Sequence, residues 1–124
     1  MGIVVQDASN FRTMRAIPHP VREQSSLPEV LHALSDPVRL EIVRALRDGA
    51  ELSCGMLDVP VSKSTLSHHL KVLRDAGLTH TRAEGVQRFV SLRTDDIDAL
   101  YPGLLGCVLG YSQRQLRSMA DRGA

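Results

Sequence analysis

Between Ser62 and Gly77 the chain reads Ser-Lys-Ser-Thr-Leu-Ser-His-His-Leu-Lys-Val-Leu-Arg-Asp-Ala-Gly. Hydroxyls, an imidazole and ammonium groups recur in it at a helical spacing. On a helix advancing about 100° per residue, Ser64, His68, Lys71 and Asp75 share one face, with Ser67 and Thr65 at its flanks. Hydroxyls and an imidazole exchange hydrogen bonds with base edges, and ammonium and guanidinium groups meet phosphates. Arg82 and Arg88 follow on either side of a glycine-containing turn. The chemistry these residues fit is recognition of double-stranded DNA. Base-edge contact is assigned to Ser64, Ser67 and His68, and phosphate or wing contacts to Lys63, Thr65, Lys71, Arg82 and Arg88. An ordinary solvated helix face is the competing reading of this helix taken alone.

Those side chains need a helix to display them, and the sequence supplies its parts. Leu66, Leu70 and Leu73 fall at i, i+4 and i+7 and form the stripe that must be buried. Ser62 is placed to cap the helix start and Gly77 to end it in a left-handed conformation. Upstream, Ser26 and Pro28 open a helix over Leu27–Leu34. Asp36 and Pro37 open another, with Val38, Ile42, Ala45 and Leu46 as its apolar stripe and Asp48-Gly49 as its end. Glu51–Leu57 reads as a short apolar turn of helix, closed by Asp58-Val59-Pro60, because Pro60 drives Val59 out of helical geometry. A short helix, a tight turn and a longer polar-faced helix make a helix-turn-helix.

After Gly77 the period changes to two. Leu78–Arg82 and Gln87–Leu92 read as strands joined by Ala83-Glu84-Gly85-Val86, a hairpin tipped by Arg82 and Arg88. A basic hairpin directly after such a helix is the wing of a winged helix-turn-helix, and it weakens the solvated-face reading. The expected fold class is therefore mainly α with a β-hairpin wing (α+β). Thr94-Asp95-Asp96 are expected to cap a final helical region that Pro102-Gly103 kinks or splits. Its apolar residues, Ile97, Leu100, Leu104, Leu105, Val108, Leu109, Leu116 and Met119, suggest a subunit interface. The organisation that follows is an N-terminal arm over 1–26, mobile or ordered by a partner, a winged helix-turn-helix over 27–93, and a C-terminal helical dimerisation segment over 94–124.

Composition limits the alternatives. With 124 residues, one domain with a core is expected. Aromatics are only 3%, so stacking platforms for single-stranded nucleic acid are lacking. The formal charge of +1 conceals its distribution: Ser62–Arg93 holds six basic and two acidic residues, and the remainder nine basic and twelve acidic. That concentration is the footprint expected of a phosphate-binding surface. Two cysteines are too few for a disulfide scaffold, and neither a signal peptide nor a membrane span is read, so a cytoplasmic protein is expected. An enzyme is not expected. Neighbouring Ser, His and Asp on one helix project apart, and no phosphate-cradling glycine loop occurs.

The sequence resembles the ArsR (arsenic-repressor-type) winged-helix regulators of bacteria over about Leu27 to Leu92. Ala33-Leu34-Ser35-Asp36-Pro37-Val38-Arg39-Leu40 is similar to that family's "LADPTRL" motif, and Ser64 to Leu78 closely matches its "STVSHHLKVLRDAGL" signature. The resemblance implies a homodimer with N- and C-terminal helices at the interface, and operator binding by the Ser62–Gly77 helix with the hairpin as wing. It departs at the family's effector sites. Where members carry a Cys-X-Cys pair, Glu51-Leu52-Ser53-Cys54-Gly55-Met56-Leu57 offers one cysteine between the two positions. No histidine follows His80, so the last-helix ligands of other members are absent, and the stretch between Leu57 and Ser62 is shorter than usual. No cofactor is evident and the effector is left unassigned.

The function expected is a sequence-specific regulator, a repressor by resemblance, acting as a homodimer on a palindromic double-stranded operator. A metal sensor built from some combination of His19, His32, Cys54 and nearby acids, or a Cys54–Cys107 thiol switch, is the alternative, with a protein-interaction module more remote. For Cys107, set in an apolar run, a buried structural thiol is expected, and for His69 packing at the helix edge while His68 faces DNA.

Overall fold

The computed structural model describes residues 17–110. Its first helix, α1 (Leu27–Leu34), starts at Ser26, whose hydroxyl accepts the Glu29 N–H at 3.4 Å. The second, α2 (Pro37–Ala45), starts at Asp36, whose carboxylate accepts the Val38 and Arg39 N–H groups at 2.9 and 3.0 Å. Bonds from the Arg39 and Val38 amides hold the Asp36 carboxyl below its usual range. The α2 stripe is rotated from the expected one. Val43 joins Ile42 and Leu46 in full burial, Val38 is half-buried, and Ala45 is exposed. Asp48 and Gly49, both at positive φ (65° and 78°), turn the chain out of α2.

The next stretch departs from expectation. Glu51–Ser53 is a strand, β1, and only Cys54–Met56 forms a single 3-10 turn before the helix that follows. Three residues cannot repay helix nucleation. The free edge of a strand further along the chain instead offers them backbone partners. The long helix α3 (Lys63–Asp75) begins where read, with the Ser62 hydroxyl accepting the Thr65 N–H at 3.2 Å. It ends in a Schellman motif: Gly77, at φ 86°, donates to the Arg74 carbonyl and Leu78 to the Leu73 carbonyl, both at 3.0 Å. Leu73 and Leu78 are both fully buried, the apolar contact that accompanies this cap.

Strands β2 (Thr79–Glu84) and β3 (Gln87–Leu92) form the hairpin, and the antiparallel sheet has the order β1-β3-β2. Leu52 lies opposite Val90 on one side of β3 and Thr81 opposite Val90 on the other. The turn is tighter than expected. Ala83 and Glu84 pair with Arg88 and Gln87, leaving a two-residue loop, Gly85-Val86, with Gly85 at φ 63° in the first position. Helix α4 (Thr94–Leu100) follows, but its N-cap is Arg93 and no side chain of Thr94, Asp95 or Asp96 caps it. Asp96 is held elsewhere, by Arg22 at 2.8 Å and Arg93 at 2.8 Å. The split near Pro102 is present: Gly103 stands at φ 88° and a separate turn covers Gly106–Gly110. Much of the apolar surface expected at a subunit interface in this region is buried within the protomer, since Ile97, Leu105 and Leu109 belong to its core. Leu116 and Met119 lie outside the described residues.

Residues 17–26, read from sequence as part of the arm, lie against the sheet and α3. Nε2 of His19 accepts the Thr81 N–H at 2.9 Å on the open edge of β2, and its ring stacks on His80 at 4.3 Å and 11°. Arg93 donates to the Pro20 carbonyl at 2.7 Å, and Ser25 donates to the Ala76 carbonyl at 3.3 Å. The rest of that arm, residues 1–16, lies outside the described residues.

Arg39 is the one buried arginine among the described residues. Its Nε and Nη2 donate to the Ala33 and His32 carbonyls at 2.8 and 3.2 Å, at the negative end of α1. Its Nη1 lies 3.1 Å from Nδ1 of His69 on α3. An arginine has no lone pair, so His69 accepts through Nδ1 and turns Nε2 toward Asp36, 3.9 Å away. His69 is thus buried in a bridge between α2 and α3, further in than the helix edge expected for it.

Two outcomes follow. Arg39→Lys retains the charge but gathers its donors on one nitrogen, which cannot span the acceptors met by three guanidinium nitrogens, so denaturant unfolding should show a loss of ~1–3 kcal/mol; an unchanged midpoint would remove the bridge from the stability argument. Burial, then the charges of His80, Arg74 and Arg93, hold the His19 imidazole below its ordinary value, with a bond to the Ile17 backbone acting in the opposite sense. The contribution of neutral His19 is therefore complete above the unfolded pKa, about 6.5, and is lost as pH falls through the lower folded value. Wild-type protein should lose more stability between about pH 7.5 and about pH 5.5 than His19→Ala does; equal losses would show that the stack does not sense protons.

Candidate nucleic-acid interface

The amphipathic division of α3 places the residues singled out from sequence. Leu70 and Leu73 are buried, Leu66 is half-buried, and Lys63, Ser64, Thr65, Ser67, His68 and Lys71 are all exposed. Within the first turn the hydroxyls hold one another: Ser62 donates to Thr65 Oγ1 at 3.0 Å and stands 3.3 Å from Ser64 Oγ. His68 and His69 are tilted by 51°, one ring outside and one inside. Neighbouring positions on a helix point about 100° apart, so anchoring His69 to Arg39 delivers His68 to the surface.

The two wing arginines lie on opposite faces of the sheet. Residues alternate between the faces of the sheet, and inward Thr81 and Val90 set the phase. Arg82, opposite Phe89, points to the face away from α3, and Arg88, opposite Ala83, points toward it. Arg82 grips Glu51 of β1 through two bonds of 3.0 and 3.2 Å, bonds Glu84, and lies over the Phe89 ring at 4.7 Å. These bonds hold the Glu51 carboxyl below its usual range and make Arg82 harder to deprotonate.

Arg88 instead lines a cleft of about 250 Å³ with Cys54, Ser67, Leu70, Lys71, Arg74 and Thr81. Lys71 forms an ion pair with Asp75 at 2.6 Å on the helix surface. Such an exposed pair is weak and exchanges readily for a phosphate. Lys63, Arg74 and Arg88 have no carboxylate partner among the described residues. Arg74 was not singled out from sequence. Its spacing of seven from Ser67, along the row that includes Leu70 and Lys71, was the available signal.

Effector chemistry finds little here. Among the described residues no three of His, Cys, Asp and Glu stand close enough to hold a metal ion. Cys54 is half-buried, and burial pushes its thiol upward, against the thiolate that metal binding needs. Cys107 is exposed, where a buried thiol was expected: Leu105 and Leu109 take the core side of that turn and leave Cys107 outside. No helix of the described residues is long and apolar enough to cross a membrane.

Comparison with known proteins agrees with this geometry. A family model described as a helix-turn-helix domain matches residues 34–82. An uncharacterized HTH-type transcriptional regulator, YceK of Bacillus subtilis (strain 168), is 41% identical over 99 residues, covering 77% of this chain and 94% of that protein. The arsenical resistance operon repressor of Staphylococcus xylosus is 38% identical over 79 residues, covering 63% of this chain and 76% of the repressor. Among solved structures, HlyU from Vibrio cholerae N16961 superposes with a TM-score of 0.54 at 36% identity, over 63% of this chain and 86% of its own. With a capped helix showing a polar face, a hairpin wing beside it and relatives matched over most of their length, this chain belongs to the ArsR family of winged helix-turn-helix, DNA-binding transcriptional regulators, and it is not an enzyme.

Proposed function

We propose that the protein is a cytoplasmic homodimer that binds a palindromic operator and represses transcription from it. The observation that carries this reading is the polar face of α3, left uncovered while the opposite side is fixed by leucines and by His69. Ser64, Ser67 and His68 meet base edges in the major groove, and Lys63, Thr65, Lys71 and Arg88 meet phosphates. Arg82, committed to Glu51 and Glu84, serves the interface by holding the wing in place and reaches a phosphate only by exchanging a carboxylate.

A two-fold pair would set two such helices about one DNA turn apart. Support for the pair comes from α1, where Leu27 and Leu31 lie one turn apart and remain 42% and 48% exposed. We assign the dimer contact to this face together with the chain beyond residues 17–110. The organisation into an arm, a winged domain and a C-terminal dimerisation segment belongs to the same proposal. Repression is favoured by the similarity to the arsenical resistance operon repressor of Staphylococcus xylosus.

Footprinting and selection from random duplex should return an inverted repeat. A single unrepeated half-site would count against the dimer. His68→Ala should cost about 1–3 kcal/mol at one base pair of each half-site and relax preference there; an unaltered preference would remove His68 from base reading. Leu27→Glu combined with Leu31→Glu should give a monomer by sedimentation with the far-ultraviolet spectrum retained, whereas an intact dimer would place the contact elsewhere.

A further inference from the structure

The cleft between α3 and the inner face of the wing is lined by cations from both elements. Lys71, Arg74 and Arg88 converge on it and no carboxylate lines it. Arg74 and Arg88 also lack a carboxylate partner among the described residues. Two donors at the cleft are unused: the hydroxyl of Thr81, a residue only 5% exposed, and Nε of Arg74 are buried without a hydrogen-bond partner among the described residues. Buried donors left unsatisfied are costly. A group carrying several acceptor oxygens and negative charge would satisfy both the donors and the guanidinium groups.

We propose that this cleft seats one phosphodiester of the operator backbone, held jointly by Arg74 from α3 and Arg88 from the wing, with Ser67 and Thr81 offering hydroxyls. The assignment rests on the DNA-binding face described above and adds Arg74 to it. Because the two arginines come from different elements, a phosphate held between them fixes the wing against α3 and sets the depth at which that helix enters the groove. Arg74 is a positioning residue in this sense: it reads no base, and every base contact depends on the register it sets. A free phosphate-type anion shares the same chemistry, and the test separates the two sources.

The full chain is compared with Arg74→Gln, Arg88→Gln and the double variant on a duplex selected by the wild type. The double variant should flatten the dependence of log affinity on log salt by about one per occupied cleft, and each single variant by no more than that, since both side chains answer to one phosphate. An unchanged slope in the double variant, or a loss of about two per cleft, would overturn the shared seat while leaving DNA binding itself intact. Failure of the wild type to bind any duplex would instead overturn the function proposed above.

Because Nε of Arg74 is buried, a second measurement uses the unaltered cleft. In a Cys107→Ser background, alkylation of Cys54 by iodoacetamide should slow severalfold when duplex is bound and keep the rate of the free protein with inorganic phosphate alone. Equal reactivity with and without duplex would leave the cleft empty in the complex and overturn the proposal. Protection by inorganic phosphate alone would make it a free-anion site and overturn the backbone assignment.

Discussion

The buried guanidinium of Arg39 is the contact on which the presentation of α3 depends. Leucines at helical spacing attach a helix to a core, but apolar contact has no direction and tolerates rotation about the helix axis. Hydrogen bonds do not tolerate it. Arg39 takes two carbonyls from the last turn of α1 and Nδ1 of His69 from α3, so three helices share one planar group. Burying such a cation is costly unless its donors are met, and the carbonyl end of a helix is a favourable place to meet them. With His69 fixed inward, His68, Ser64 and Ser67 have one orientation left to them.

Charge on this protein is not where counting places it. Of the six cations between Ser62 and Arg93, three are taken up by carboxylates: Lys71 by Asp75, Arg82 by Glu51 and Glu84, and Arg93 by Asp96. Glu51 and Asp96 come from outside that stretch. Arg82 ties β1 to the wing, and Arg93 with Arg22 ties the residues before α1 to the start of α4. These pairs are partly exposed, and their contribution is to fix geometry more than to add stability. Of the three without such partners, Arg74 and Arg88 line one cleft between α3 and the wing, and Lys63 stands exposed in the first turn of α3.

Much of this was legible in the chain because it is local. Ser62, Asp36 and Ser26 cap the helices they precede, Gly77 closes α3, and the leucine stripe of α3 is buried as its spacing requires. A cap involves residues two to five apart, so its chemistry lies within one short window. Glu51–Leu57 shows where local reading stops. Its apolar residues suit a turn of helix, but β3 had an unpaired edge, and three residues of Glu51–Ser53 completed the sheet. The exposure of Cys107 is a similar case, because an apolar run does not say which of its members turns inward.

By itself, the sequence determined that a capped amphipathic helix followed by a basic hairpin would form, since spacing and capping act between near neighbours. Only the tertiary structure decided which basic side chains remain available. Arg82 and Arg88 look equivalent along the chain, yet strand alternation sends them to opposite faces, where one meets Glu51 across 31 residues of sequence and the other lines a cleft with Arg74 of α3. Pairing at such separations depends on sheet order and helix docking, which no short window of residues contains.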